Sequence, residues 1–285
     1  MARALLVGGS SYVGRCLLQR LGLEGWDVWP TFFRHPQGLG SRAIRLDVRD
    51  QLTATVLFKE IRPDVVFHLA YDMGDLEGSV VSGTANLLKG WRSAGCYGSF
   101  ILVSTDMVFD GEAAPYKEED SPKPITAYGM AKRKAELLAG NAGAKVVRLS
   151  LVYGWNPPDP RTASLLRGLG GKGFDYPYFV DEIRSPIFLQ DLCMALGKMA
   201  AMGPQMPSIL HLAGPQSLSR HEMACQVAEA LGFGRGLVPK AKLVDFASVR
   251  PRDLSLDISK AKRLLSFKPR TVREALQGAA LQGPG

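Results

Sequence analysis

The amino-acid sequence predicts an α/β fold, a doubly wound parallel sheet with helices on both faces, followed by a smaller C-terminal region. Three features point there. Short, wholly apolar runs alternate with helical patterns along the first half of the chain. The first apolar run passes straight into a glycine-rich turn and then a helix. Beyond Val152 the alternation gives way to turn-rich segments.

Each element follows from local pattern. Residues 4–7 form an apolar strand that ends in Gly8 and Gly9. Val13, Cys16, Leu17, Leu18 and Leu21 then mark a helix. Residues 26–33 read as a second strand and 43–46 as a third, closed by Asp47. A helix over 52–61 stops before Pro63, which lacks the amide hydrogen a helix needs. Residues 64–70 are a buried strand, apolar enough for a sheet covered on both faces. A helix over 79–94, a strand over 99–104, a helix over 127–138 and a strand over 144–149 complete the alternation. Residues 154–160 are rich in turn formers, and 168–173 read as a glycine-dense loop. The clearest late elements are a strand over 208–212 and a helix over 221–231. The expected division is therefore 1–152 and 153–285, partly interleaved, with a frayed tail over 278–285.

Composition narrows the class. A chain of 285 residues can bury a sizeable core without disulfide staples. Hydrophobic residues at 46% and charged residues at 22% exclude wholesale disorder and collagen-like structure. No apolar run approaches the roughly 18 residues of a membrane-spanning helix. Residues 1–7 lack the layout of a secretion signal. The 35 basic and 27 acidic residues leave a net charge of +8, which serves general solubility or attracts an anionic ligand such as a nucleotide phosphate. The basic residues are spread along the chain without blocks, so neither nucleic acid nor a membrane is the expected partner. Cys16, Cys96, Cys193 and Cys225 lie far apart and read as free thiols of a reducing cytoplasm. The four histidines show no metal-ligand spacing on one helix, so no metal is expected. His68, on an apolar strand, reads as a core histidine, and the methionines of 194–206 read as packing.

The first turn runs Gly8, Gly9, Ser10, Ser11, Tyr12, Val13, Gly14 into a helix. A helix start offers unpaired amides and a positive dipole end, which suit a pyrophosphate. Its glycines allow close backbone approach, although a plain structural turn uses glycine too. At the end of the second strand a dinucleotide fold needs a group for the adenosine ribose. Arg34 stands there in place of an acid, which favours a 2′-phosphate and hence NADP; the bland reading is a solvated arginine. Asp47, beside Val48, is placed to accept from an adenine amino group or to cap the next helix.

Tyr128 and Lys132 are four residues apart on one helix face. A lysine ammonium stabilises a phenolate and so lowers a tyrosine pKa, allowing proton exchange with a carbinol or carbonyl oxygen. The strand before them delivers Ser104, Thr105 and Asp106 at its C-terminal end, the edge where open parallel sheets bind ligands.

These stretches together resemble the extended short-chain dehydrogenase/reductase family, and within it the dTDP-4-dehydrorhamnose reductase group. The match is carried by residues 8–14, RPDVV over 62–66, STDMVFDG over 104–111, AYGMAK over 127–132, RLSLVYG over 148–154 and RPR over 250–252. The resemblance implies a Rossmann domain holding NADP, with NAD possible, and a smaller region for a nucleotide sugar. It implies Tyr128 as the acid–base, Lys132 as its partner and Thr105, three residues before Val108, as the hydroxyl. Leu69, Ala70, Tyr71 and Val152 would then flank the cofactor. The chain departs from the family at Ser11, where a glycine is usual, and at Met107, where a tyrosine is usual. Asp106, Met107, Trp155 and Arg184 are the remaining substrate-side candidates, the last two in loops, with Arg184 as a diphosphate clamp.

The resulting expectation is an NADP-dependent reductase of a 4-keto nucleotide sugar. Its rivals are a nucleotide-sugar epimerase or dehydratase with tightly kept NAD, and a non-catalytic NADP-binding subunit like the one the family contributes to methionine adenosyltransferase. The resemblance also allows a homodimer, which the sequence itself does not show.

Overall fold

The computed structural model describes residues 1–247 and 249–280. The chain forms two compact units. One comprises Met1–Val108, Ala127–Arg148 and Cys193–Leu210; the other comprises Phe109–Thr126, Leu149–Leu192 and His211–Gly285. Residues 109–126, 149–152 and 193–210 thus sit in the unit opposite to the one a single division at 152/153 would give them.

The N-terminal unit is built on strands β1 (Arg3–Val7), β2 (Asp27–Phe32), β3 (Ile44–Arg45), β4 (Val65–His68), β5 (Ser99–Thr105) and β6 (Lys145–Leu149). Its helices are α1 (Tyr12–Leu23), α2 (Gln51–Ile61), α3 (Gly83–Ser93) and α4 (Ala127–Asn141). The sheet has seven strands in the order Ile209–Leu212, β6, β5, β4, β1, β2, β3. β1 pairs in parallel with β2 on one side and β4 on the other, so the winding reverses between β1 and β4. That reversal opens a crevice at the C-terminal strand ends, the place where such sheets bind ligands. Every residue of β4 and β5 is buried, which explains their unbroken apolar or uncharged character.

Local chemistry sets the helix limits. Asp50 caps α2 by accepting from the amides of Leu52 and Thr53 at 3.0 and 3.1 Å, so Asp47 is not the cap. α2 ends where Arg62 turns left-handed, at φ 47°, ahead of Pro63. The continuous helix expected over 79–94 is instead a wide π-helical turn, Glu77–Ser82, feeding α3. Ser79 fastens this turn, donating through Oγ to the Asp75 carbonyl at 2.6 Å. Met199 and Met206 are buried, as packing methionines should be.

The C-terminal unit is made of short pieces. Ile187–Phe188 pairs in parallel with Val152–Tyr153, Tyr178–Phe179 with Lys240–Ala241, and Leu218–Ser219 antiparallel with Ile183–Arg184. Tyr153, Phe188, Val227, Val272 and Leu276 share its core. Asp191, almost fully buried, holds Arg270 through Nε at 3.0 Å and Nη2 at 2.6 Å. The glycine-dense segment expected as a loop is a π-helical turn, Gly168–Lys172, broken at Gly171 with φ 80°. Of the tail expected to fray, 278–280 belong to the helix Val272–Ala280 and 281–285 lie outside the described residues.

Candidate nucleotide and reaction site

Gly8 leaves β1 with φ +91°, and a Cβ there would lie 2.8 Å from the backbone nitrogen of Ala70. The turns after β1 and β4 therefore approach more closely than any side chain permits. The Gly8 amide donates to Thr31 Oγ1 at 3.1 Å, which ties the turn to β2. A Cβ on Gly14 would meet the Gly8 carbonyl at 2.5 Å, so the first turn of α1 presses directly on the loop. Ser11, where the family has glycine, is the N-cap of α1. Its backbone is extended at φ −68°, and its Oγ accepts from the Gly14 amide at 3.0 Å. A serine is therefore unstrained here and satisfies one of the helix's first amides.

Gly8, Ser11, Asp47, Val48, Leu69, Ala70 and Tyr71 line one cleft. Ser10, Tyr12 and Val13 complete the turn and the start of α1. Arg34 stands exposed at the rim, 3.4 Å from Asp72 and 5.0 Å over the Phe33 ring. Arg45 and Arg49 approach the same ring at 5.9 and 5.3 Å. Three guanidinium groups thus surround one aromatic ring that lines the cleft.

Asp47 is engaged in a way the sequence reading missed. Arg49 grips both its oxygens, Nε to Oδ1 at 2.9 Å and Nη2 to Oδ2 at 2.7 Å, and holds the carboxyl below the usual range. Arg49 also reaches Asp75 at 3.3 Å. The side chain of Asn86 supports this loop, donating to the carbonyls of Val48 and Arg49 at 3.2 and 2.9 Å. The Asp47 carbonyl accepts from the Asp50 amide and its Oδ1 from the Arg49 amide, each at 3.0 Å, so a tight turn brings the two side chains together, and the Asp-x-Arg spacing was the available signal.

The candidate reacting groups gather around the ends of β4 and β5. Tyr128 lies in the first turn of α4, with its ring 5.6 Å from that of Tyr71. Lys132, one turn on, is buried and donates to the Val103 carbonyl at 3.0 Å. Its ammonium lies 5.3 Å from the Tyr71 ring and 6.0 Å from the Tyr128 ring. Burial pushes Lys132 down to about 8, and the charge of Glu136 opposes that. The expectation of a lowered Tyr128 pKa is corrected. Burial pushes the phenol up, and Tyr71 and the Asp106 charge push the same way. Tyr128 is therefore held as the protonated phenol.

Thr105 and Ser104 separate by strand alternation. Thr105 Oγ1 donates to Asp106 at 3.1 Å and accepts from the Met107 amide at 3.2 Å. Ser104 Oγ instead donates to Glu136 at 2.7 Å. Asp106 is buried and Met107 half-buried. His68 is the core histidine expected, its Nε2 3.0 Å from Thr84 Oγ1.

The other candidates belong to the C-terminal unit. Val152 lines a separate cleft there, with Arg161, Tyr178 and Arg220. Burial pushes Arg220 down to about 10, with the Arg161 charge adding to the effect. Asp159 is committed to capping the helix Pro160–Arg167, accepting from the Arg161 and Thr162 amides at 3.0 and 3.3 Å. Trp155 stacks edge-on against Tyr153 at 5.5 Å. Arg184 is not in a loop: it belongs to the strand Ile183–Arg184, with Nη2 3.4 Å from Glu182. Arg161 and Arg220 were missed because nothing local marks them. Among the described residues, no cluster of His, Cys, Asp and Glu could hold a metal, and no helix is long and apolar enough to cross a membrane.

A parallel sheet with a glycine cradle at its switch point, a Tyr-Lys helix face and a strand-end threonine define a protein of the Rossmann dinucleotide fold. Residues 2–282 match the RmlD substrate binding domain, and the chain belongs to that family. Methionine adenosyltransferase 2 subunit beta of Pongo abelii is 28% identical, over 92% of this chain and 82% of that one. The dTDP-4-dehydrorhamnose reductase of Bacillus anthracis str. Ames, solved in complex with NADP, superposes with a TM-score of 0.82 at 22% identity, covering all of both chains. The dTDP-glucose 4,6-dehydratase of the same organism, solved in complex with NAD, superposes with a TM-score of 0.83 at 17% identity, covering 99% of this chain and 98% of that one.

Proposed function

We propose that this protein is an NADP-dependent oxidoreductase that reduces a keto group, specifically that of a 4-keto nucleotide sugar. The observation that carries the reading is Tyr128 and Lys132 on one face of α4, the ammonium 6.0 Å from the phenol ring, with Tyr71, which lines the cleft after β1, 5.6 Å from Tyr128. The turn suits the cofactor: it lies at the start of α1, whose positive dipole end favours a pyrophosphate, and Gly8 and Gly14 let loop and helix pack closely there. Gly8, Ser11 and the start of α1 would hold that pyrophosphate, and Arg34 the 2′-phosphate. Bound NADPH supplies the hydride. Tyr128 donates its proton to the carbonyl oxygen, and Lys132 stabilises the phenolate left behind. Thr105 is steadied by the Met107 amide, and turning its hydroxyl proton from Asp106 to the substrate carbonyl oxygen lets it orient the reacting group.

Arg161 and Arg220 line the cleft of the C-terminal unit and suit the diphosphate of a nucleotide sugar better than Arg184 does. Its free cysteines fit a cytoplasmic setting. The test is NADPH absorbance with time, against a panel of nucleotide-linked 4-keto sugars. Turnover by wild type and none by Tyr128→Phe supports the reading. In parallel, Arg34→Ala should weaken NADPH binding about tenfold and leave NADH binding unchanged.

The 28% identity to a methionine adenosyltransferase beta subunit favours a second reading, an NADP-binding regulatory subunit. NADPH binding without turnover, together with a co-purifying partner enzyme, would select it. A cofactor that co-purifies and is not consumed would select an epimerase or dehydratase.

A further inference from the structure

Glu136 lies one helical turn beyond Lys132 on α4 and is 4% exposed. A carboxylate so buried needs donors. It takes them from both neighbouring strands and from its own helix. Ser104 Oγ on β5 donates at 2.7 Å, Arg148 Nε and Nη2 on β6 each at 2.9 Å, and Arg133 Nη1 on α4 at 3.3 Å. Arg148 is itself 1% exposed. A buried ion pair is a weak source of stability, because desolvation offsets most of the attraction. Its location is more telling. Ser104 immediately precedes Thr105, so one face of the β5 end presents the threonine while the other is fastened to Glu136.

We propose that Glu136 is a positioning residue of the reaction site. Through Ser104 it ties the strand end bearing Thr105 to the helix face bearing Tyr128 and Lys132, and its charge faces the Lys132 ammonium. The groups around that ammonium are Tyr128 and Glu136 from α4, the Val103 carbonyl from β5, His68 from β4 and Tyr71 beyond it. Glu136 supplies the negative charge that opposes burial of the ammonium. The tether alone concerns catalysis and rests on the reductase reading; the charge effect on Lys132 does not.

Three variants separate the parts. Glu136→Gln removes the charge, Glu136→Asp keeps the charge and shortens the reach, and Ser104→Ala keeps the ion pair and cuts the tether. The Lys132 titration is followed by NMR on protein carrying [ε-13C]lysine, the resonance assigned by its loss in Lys132→Met. The wild-type midpoint should lie near 8. Glu136→Gln should lower it by about one pH unit or more, while Glu136→Asp and Ser104→Ala leave it in place. If Glu136→Gln alone does not fold, Glu136→Gln with Arg148→Met removes the pair as a unit. In turnover, Ser104→Ala and Glu136→Asp should lower kcat about tenfold with NADPH affinity unchanged.

An unmoved Lys132 midpoint in the charge-removing variant overturns the proposal. So does a wild-type kcat in Ser104→Ala. Absence of turnover in wild type, with the midpoint shifted as expected, refutes the reductase reading and leaves Glu136's electrostatic role standing.

Discussion

Lowering the pH from 7 to 4 should destabilise this protein through one histidine. His68 is 1% exposed, on β4. The Thr84 hydroxyl gives its proton to the Val80 carbonyl at 2.5 Å, so its oxygen accepts from His68 Nε2 at 3.0 Å. This network assigns the Nε2–H tautomer and leaves Nδ1 buried with no hydrogen-bond partner. A second proton would go on Nδ1, facing no acceptor. Burial pushes His68 down to about 3, and the Lys132 charge adds to the effect. In the unfolded chain it titrates near 6.5. The folded state therefore binds fewer protons between about 3 and 6.5, and stability falls as pH falls through that window. From pH 7 to pH 4 the loss from this group is about 3 kcal/mol, at roughly 1.4 kcal/mol per pH unit. Urea unfolding of wild type and His68→Gln at both pH values measures it. The variant should lose about 3 kcal/mol less than wild type between the two. Equal losses would refute the argument that this buried ring stays neutral.

Two further outcomes follow from the same geometry. Gly8→Ala places a Cβ 2.8 Å from the Ala70 nitrogen at a positive φ, so it should cost about 1–3 kcal/mol and weaken NADPH binding at least tenfold; calorimetric titration showing wild-type affinity would contradict the cradle. Asp159→Ala removes the cap of the helix Pro160–Arg167 and should lower unfolding stability by about 1–2 kcal/mol, with a change below about 0.3 kcal/mol counting against the capping role.

Much of the N-terminal unit is legible in the chain because its signals are local. β1, the glycine turn and α1 follow from an apolar run, three glycines and a helical period, and the structure places them at Arg3–Val7 and Tyr12–Leu23. β4 and β5 read as strands because both faces are covered, so no polar alternation interrupts them. The short elements of the C-terminal unit were not legible. Arg184 reads as a loop residue since its strand is two residues long and its partner, Leu218–Ser219, is far along the chain. The split of the third helix was invisible too, because a π-helical turn carries no sequence period of its own.

The sequence by itself determined the class of fold, the glycine cradle and the four-residue spacing that places Tyr128 and Lys132 on one helix face. Those depend on neighbours within a turn or a strand. Only the tertiary structure decided which charges meet and what protonation they hold. Arg148 and Ser104 reach Glu136 from two strands, burial raises Tyr128 and lowers Lys132, and His68 is left without a partner for Nδ1. The physical reason is that a group's charge answers to the water it loses and to the charges that replace that water. Both are supplied by segments distant in sequence.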